Sequence, residues 1–289
     1  MTVRLHPLVD RAGRFSPFKA LVFVLLFVPG LSTAYDFAMG SLGPRPLDEA
    51  THQVGTWTLR FIFLSLAVTP LRELLQWSKL LVVRRMIGVA AFVYAFAHLM
   101  FYFVHQAFDV VKVVSEIVLR IYLTIGFAAL LGLAALAATS TDAMIRRLGA
   151  KRWRRLHQAL YAIGILAVIH FFMQKKLEVY EPTIMAGLYV WLMLYRIVVA
   201  LSARAKKAQV MMGLSLGVAA SGLTMLGEAV YFRLMRNIPM DRILAMNLDF
   251  DFDIGIRPGW VVLGIGLAIV LAVALRQLVL RRRVQLQAA

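Results

Sequence analysis

Residues 84–106 read RRMIGVAAFVYAFAHLMFYFVHQ, two arginines followed by a run of 21 residues that contains no Lys, Arg, Asp or Glu. A helix of about 20 apolar residues is long enough to cross the hydrocarbon core of a bilayer. The run also lacks the strict period-2 alternation that a strand of a membrane β-barrel would show. This stretch therefore predicts a membrane-spanning helix with a basic flank at one end.

Seven other runs repeat this pattern along the 289-residue chain, and the composition agrees with them. Hydrophobic residues make up 61% and charged residues 16%, against about 45–50% and about 25% in soluble domains. The sequence thus predicts an all-α, polytopic membrane helix bundle and excludes a soluble, disordered or fibrous chain. The chain has no cysteine, which excludes disulfides, iron–sulfur clusters and covalently attached haem. The eight runs lie near 18–35, 54–74, 86–106, 117–139, 157–174, 183–203, 209–232 and 259–280.

The net charge of +17 reports membrane topology rather than nucleic-acid binding, because the Lys and Arg residues alternate between the connections. Both chain ends and the connections after the second, fourth and sixth runs are basic, and the other connections hold far fewer basic residues. By the positive-inside rule, both termini are predicted to be cytoplasmic. The basic residues are Arg4, Arg11, Arg14, Lys19, Lys79, Arg84, Arg85, Arg146, Arg147, Lys151, Arg152, Arg154, Arg155, Arg204, Lys206, Lys207 and Arg281–Arg283.

Two features of the organisation leave alternatives open. The first apolar run ends in Ser32-Thr33-Ala34, which resembles a signal-peptide cleavage site and leaves cleavage as an alternative to a first spanning helix. The connection at 233–258 is the largest piece outside the predicted membrane helices, and no glycine-rich nucleotide motif follows a predicted strand. Any flavin or catalytic domain must therefore belong to a separate protein.

Histidines on the third and fifth runs are the informative ionisable groups, since polar side chains at bilayer depth are costly and mark functional sites. His98 lies 13 residues beyond Arg85, and His170 lies 15 residues beyond Arg155. At about 1.5 Å per residue, both imidazoles lie roughly 20 Å from the cytoplasmic boundary, on helices that run in the same direction. Paired imidazoles at one depth can ligate a b-type haem; the alternative is a pair of buried, hydrogen-bonded histidines.

Other candidates are less well defined by the sequence. His157 does not share a helical face with His170, and helix 3 offers no histidine at the depth of His157. Two interpretations of His157 therefore stay open, a haem or flavin ligand and an interfacial residue. Arg60 is predicted near the outer side, where it either pairs with an anion such as a haem propionate or extends to the interface. Glu228 is predicted to pair with Arg233 or with Arg60.

Five short motifs stand out in the predicted helices and their connections: RRMIG at 84–88, AHL at 97–99, TSTDAM at 139–144, WRRLH at 153–157 and IH at 169–170. Together they resemble the haem-binding membrane subunits of the periplasmic methionine-sulfoxide reductase system, the MsrQ (YedZ) family within the ferric-reductase-like transmembrane superfamily. The resemblance covers about residues 15–205, six predicted helices, and leaves two helices in 206–289 as a C-terminal extension. The sequence therefore divides into a six-helix domain at 1–205 and an extension at 206–289.

The resemblance implies a more concrete function than the spacing does. It implies a bacterial inner-membrane protein that binds haem b through His98, His157 and His170, with an FMN also attributed to the family. Electrons would come from the quinone pool or a cytoplasmic flavin reductase and pass to a periplasmic molybdopterin-containing catalytic subunit. The larger oxidases of the superfamily carry a second histidine on helix 3 where this chain has Arg85, so a second haem stays open.

Four functions are weighed on this basis, one of them a haemless scaffold for a membrane complex. An electron-transfer subunit without catalytic side chains of its own ranks first, and a ferric-chelate reductase with the same haem is the alternative within the redox class. A proton- or metal-coupled transporter using His98, His170 and Glu228 is the alternative from another class; it should show inverted repeats or broken helices at matched positions, and neither is evident. Membrane lipid is an expected partner in each case.

Overall fold

The fold is seen in a computed structural model that describes residues 8–9, 13–176, 178–202, 209–249 and 255–288. The described residues form α-helices and one 3₁₀ helix, Ser78–Val82, and no strand, which confirms the all-α prediction. The α-helices in chain order are α1 Pro17–Ala38, α2 Pro46–Leu74, α3 Arg84–His105, α4 Val110–Leu119, α5 Ile121–Ala138, α6 Asp142–Leu148, α7 Ala150–His157, α8 Ala159–Lys175, α9 Tyr180–Leu201, α10 Gln209–Arg236, α11 Met240–Leu248 and α12 Pro258–Ala288.

Eight helical segments within the described residues are long and apolar enough to cross a membrane, as the eight runs predicted. The chain is therefore a multi-pass membrane protein. The boundaries differ from the prediction in two places. The second span begins at Pro46 rather than near residue 54, with Asp48 and Glu49 in its first turn. The fourth begins at Ile121, because Arg120 is extended (φ −107°, ψ 105°) and separates α5 from the short helix α4.

Several sequence predictions fall on residues outside the described ranges. These are the domain boundary between residues 205 and 206 and the basic residues Arg4, Arg11, Arg204, Lys206 and Lys207. By its internal contacts the chain forms two compact units. The first comprises residues up to Val68 together with Lys79–His170, and the second comprises Thr69–Ser78 and the residues from Phe171 onward.

In the first unit, α3 packs against α1 and α5, and a tyrosine side chain joins α3 to α1. The Tyr94 hydroxyl accepts a hydrogen bond from the Gly30 backbone N–H and donates one to the Leu26 carbonyl, each at 2.8 Å. In an undisturbed helix those two backbone groups would bond each other. The hydroxyl is thus inserted into the backbone ladder of α1 next to Pro29 and satisfies both groups.

In the second unit, α9, α10 and α12 pack closely because glycines line their contacts. A Cβ on Gly187 would lie 2.2 Å from the Thr224 hydroxyl, and a Cβ on Gly213 would lie 2.7 Å from Val270. Without a large hydrophobic driving force between helices in lipid, close backbone approach is a main source of association energy. These glycines therefore fix the three-helix arrangement.

A buried ion pair closes one end of this unit. The Glu228 carboxylate on α10 accepts hydrogen bonds from Arg257 Nη2 at 2.8 Å and from Asn247 Nδ2 at 3.0 Å. Asn247 lies on α11, and its backbone carbonyl oxygen accepts a hydrogen bond from Trp260 Nε1 at the start of α12. The sequence prediction that Glu228 pairs with Arg233 is wrong, because its carboxylate bonds Arg257, which lies 29 residues away and directly before α12.

Removing this carboxylate is expected to destabilise the second unit. Glu228 is 4% exposed, so Glu228→Ala leaves a largely buried Arg257 without its counter-charge, at a cost of about 3 kcal/mol. The measurement is the denaturation midpoint of the protein in detergent. The matched control is the double variant Glu228→Leu/Arg257→Leu, which removes both charges and should recover most of the loss. A single variant as stable as the wild type would contradict the ion-pair assignment.

Candidate functional site

The structure brings together two of the sequence-predicted residues, His98 on α3 and His170 on α8. Their ring centroids lie 6.2 Å apart and the ring planes are nearly perpendicular, at 87°. Both residues are half-buried within membrane-spanning helices. The residue count from the basic flanks predicts one depth for both imidazoles, and their closeness in the structure agrees with that prediction.

Each of these histidines is held by a backbone carbonyl of a neighbouring helix. The Nδ1 atom of His98 lies 2.8 Å from the Thr51 carbonyl oxygen on α2, and that of His170 lies 2.8 Å from the Tyr122 carbonyl oxygen on α5. Since a carbonyl oxygen can only accept, Nδ1 is the protonated nitrogen in both rings. In the neutral imidazole this leaves the lone pair on Nε2, which is the tautomer that ligates a metal.

A glycine four residues after each carbonyl makes these bonds possible. A Cβ on Gly55 would lie 2.8 Å from His98 Nδ1, and a Cβ on Gly126 would lie 2.8 Å from both Nδ1 and Cε1 of His170. Because the Cα–Cβ bond of a helical residue tilts toward the N-terminus, the side chain at position i+4 covers the carbonyl of position i. Glycine at that position exposes the carbonyl and lets the imidazole rest on it.

The separation of the rings suits two imidazoles that would hold one metal. With about 2.0 Å from metal to nitrogen and roughly 1 Å from nitrogen to ring centre on each side, the centres of two such rings can lie up to about 6 Å apart. Within the described part of the chain, no group of three or more His, Cys, Asp or Glu side chains could hold a bare metal ion. Two imidazole nitrogens therefore suit a metal whose other ligands belong to its own cofactor, as in haem.

Polar contacts surround this pair on the side where α3 ends and α5 begins. The Tyr122 ring stacks on His170, with centroids 6.5 Å apart. The Glu116 carboxylate on α4 accepts hydrogen bonds from the Tyr102 hydroxyl and from Arg120. His105, seven residues past His98, lies 3.1 Å from the Asp48 carboxylate and is half exposed, as expected for a residue at the interface.

Arg60 lies within α2, 14 residues after the helix begins at Pro46. It follows Gly55 by five residues, about 7.5 Å along the helix away from the end that begins at Pro46. Its guanidinium lies over the Trp57 ring, 4.7 Å from the centroid. A contact with a propionate stays a prediction.

His157 occupies a different place from the other two histidines, at the end of α7. Its ring stacks on Trp153 with centroids 4.0 Å apart, and its Nε2 lies 3.2 Å from the Thr139 hydroxyl. The Trp153 indole N–H donates to the Thr139 carbonyl at 2.9 Å. Asp142, three residues after Thr139, pairs with Arg85 at 2.8 Å. The residues of the TSTDAM and WRRLH motifs therefore meet in one cluster, and a ligand role for His157 stays a prediction.

Comparison with known proteins identifies the family of this chain. Residues 54–168 match the family described as the ferric reductase like transmembrane component. The chain is 41% identical over 196 residues to the protein-methionine-sulfoxide reductase heme-binding subunit MsrQ of Rhodospirillum rubrum, covering 92% of that protein and 68% of this chain. It is also 41% identical over 187 residues to MsrQ of Azospira oryzae, covering 80% of that protein and 64% of this chain.

The chain belongs to the MsrQ family. A third relative, MsrQ of Herminiimonas arsenicoxydans, is 37% identical over 191 residues, which is 88% of its own length but 65% of this chain. No solved structure matches. The MsrQ family and the ferric-reductase-like transmembrane domain predicted from the five motifs are thereby confirmed. About a third of this chain lies outside each of these alignments.

Within this MsrQ-family chain, sequence reasoning missed the two carbonyls and the two glycines that support the histidines. A backbone carbonyl leaves no mark in a sequence. The glycines leave a faint one, since THQVG at 51–55 and YLTIG at 122–126 each end in a glycine within or beside an apolar run. That signal becomes meaningful only once the facing histidine is known.

Proposed function

We propose that this protein is a haem-binding membrane subunit that passes electrons across the membrane to a methionine-sulfoxide reductase. The observation that carries the proposal is the pair His98 and His170, with both Nδ1 atoms bonded to backbone carbonyls and both Nε2 atoms left for a metal. The name of the relatives, heme-binding subunit of a protein-methionine-sulfoxide reductase, supports both the cofactor and the partner.

The cofactor proposed at His98 and His170 is one b-type haem, since the absence of cysteine excludes a covalent attachment. When bound, the haem takes up and releases one electron at a time. The protein's part is to hold two imidazoles in the ligating tautomer, to raise their basicity through the carbonyl bonds, and to keep water away within the helix bundle. Neither histidine gains or loses a proton in this role.

The cluster around His157 is proposed as the place where electrons enter. It lies among the basic residues of α6 and α7, a segment that the charge distribution assigns to the cytoplasmic side. The donor would be a quinol of the membrane or a cytoplasmic flavin reductase, with an FMN or a second haem beside His157 as the intermediate carrier. Arg60 is proposed to pair with a haem propionate.

The acceptor is proposed to be a periplasmic subunit that contains molybdopterin, with this chain in the bacterial inner membrane and both termini cytoplasmic. Reducing a methionine sulfoxide to methionine consumes two electrons and two protons and releases water, so two successive single-electron transfers serve each turnover. A ferric-chelate reductase is the second candidate, favoured by the ferric-reductase-like match over residues 54–168. The two functions differ in the acceptor that oxidises the reduced protein.

A visible spectrum of the detergent-purified protein, oxidised and then reduced with dithionite, tests the cofactor. We expect a Soret band and sharp α and β bands on reduction, because two imidazoles give a low-spin haem. If protein prepared from haem-replete cells shows no Soret band, the proposal is overturned and the transporter hypothesis is open again. Adding the partner reductase with methionine sulfoxide, or a ferric chelate instead, then shows which acceptor reoxidises the haem.

A further inference from the structure

The short helix α4 carries an apolar surface that the haem site does not use. It joins the ends of α3 and α5 and is too short to span a membrane. Val111, Val114 and Val118 lie at helical positions i, i+3 and i+7 with Val110 beside them, and all four are exposed, Val111 by 80% and Val118 by 71%. These valines form one arc of the helix, called here the valine arc.

The rest of the α4 circumference differs on its two sides. On one side Val113 is fully buried and Ile117 is half-buried against the bundle. On the other side Lys112 and Ser115 are exposed. The valine arc therefore lies between a protein-packed side and a polar side, the order found in a helix that lies in a membrane interface.

The length of α5 places the end of α4 at the edge of the hydrocarbon. With 18 residues, α5 is about 27 Å long, slightly shorter than the roughly 30 Å hydrocarbon core. Ile121, its first residue, and Leu119, the last of α4, are both exposed. Between them stands Arg120, which is also exposed, so α4 lies directly before the membrane-spanning helix and is separated from it by one charged residue.

We propose that α4 is an interfacial helix whose valine arc is covered by the acyl chains of the membrane lipid. Lipid fits this surface better than a protein does, because the arc offers only valine and none of the Tyr, Trp or Arg anchors that protein interfaces favour. Its place directly before the membrane-spanning helix α5 also brings the arc within reach of the lipid. The inference concerns a part of the surface outside the haem ligands and does not depend on the proposed function.

A short chain of contacts connects α4 to His170. Glu116 of α4 holds the Tyr102 hydroxyl and Arg120, and Arg120 donates to the Tyr122 hydroxyl at 3.3 Å. Tyr122 stacks on His170 and supplies its carbonyl acceptor. Lipid under the valine arc would therefore support the helix that orders one side of the histidine pair.

Because the chain has no cysteine, single-cysteine variants can be labelled with a nitroxide without altering other residues. Val114→Cys and Val118→Cys probe the valine arc, and Ser115→Cys and Lys112→Cys are the matched neighbours on the polar side. Leu131→Cys, exposed on α5, gives the reference value for lipid. The labelled proteins are reconstituted in phosphatidylcholine vesicles, and collision rates are measured by paramagnetic resonance with oxygen and with a water-soluble nickel chelate.

We expect the oxygen-to-nickel ratio at positions 114 and 118 to approach that at position 131 and to exceed that at positions 112 and 115 several-fold. Equal ratios at all four α4 positions, or a valine arc open to the nickel chelate, would overturn the proposal. A valine arc that is open to nickel until the partner reductase is added would overturn it in favour of protein docking. Monodisperse elution of each labelled variant shows that the bundle is intact, and haem content does not enter the result.

Discussion

Replacing His170 with alanine is expected to abolish the low-spin haem spectrum of the purified protein. Changes to groups that merely support a ligand typically cost about 10–100-fold in metal affinity, and loss of the ligand itself should cost more. The measurement is haem per protein from the pyridine haemochrome, together with the reduced spectrum. The expected result is a haem content near background, or a residual haem whose spectrum has become high-spin because one axial ligand is missing.

His98→Ala should behave in the same way, because the centroids of the two rings lie only 6.2 Å apart. The matched control is His105→Ala. His105 lies on the same helix as His98, but its imidazole contacts the Asp48 carboxylate and not a backbone carbonyl beside the histidine pair. That variant should keep the wild-type haem content. A His170→Ala protein with an unchanged low-spin spectrum would show that the ligand pair is assigned wrongly, whether or not the protein binds haem elsewhere.

Replacing Gly126 with alanine is the second change with a large expected effect, although it adds only a methyl group. That methyl would lie 2.8 Å from two atoms of the His170 ring, well inside van der Waals contact. The ring must therefore move off the Tyr122 carbonyl, which removes the bond that fixes its tautomer and direction. We expect haem retention to fall about 10-fold, in the range seen when a supporting group of a metal ligand is lost.

Gly132→Ala is the control for this change, because it lies on the same helix and makes an equally close contact. Its methyl would lie 2.8 Å from Ile163 Cδ1, the end of a flexible side chain on α8 rather than a ligand. Alanine is also a better helix former than glycine by about 0.5–1 kcal/mol, so weaker helicity cannot explain a loss. Equal haem retention in the two variants would contradict the role assigned to Gly126.

The membrane fold and the level of the histidine pair could be predicted from the sequence. Apolar runs of spanning length identify helices directly, because the bilayer satisfies no backbone polar group and leaves a continuous helix as the remaining choice. The depth of His98 and His170 followed from counting residues from Arg85 and Arg155, since a helix rises by a fixed amount per residue. The five motifs correctly indicated the MsrQ family.

The partners of polar side chains could not be predicted in the same way. The sequence suggested Arg233 as the partner of Glu228 because it is five residues away, whereas Arg257 reaches it from the start of α12. The run near 117–139 concealed the break at Arg120, since Val, Ile and Leu continue on both sides of it. Hydropathy measures how apolar a segment is and contains no information about where its backbone turns.

The sequence by itself determined the spans, and it predicts their orientation and two imidazoles at one depth, because each depends on composition or on distance along one helix. The tertiary structure decided how those imidazoles are held. Thr51 and Tyr122 offer carbonyls on other helices, and Gly55 and Gly126 uncover them. A carbonyl is common to every residue, so only the packing of one helix against another selects the two that fix the rings.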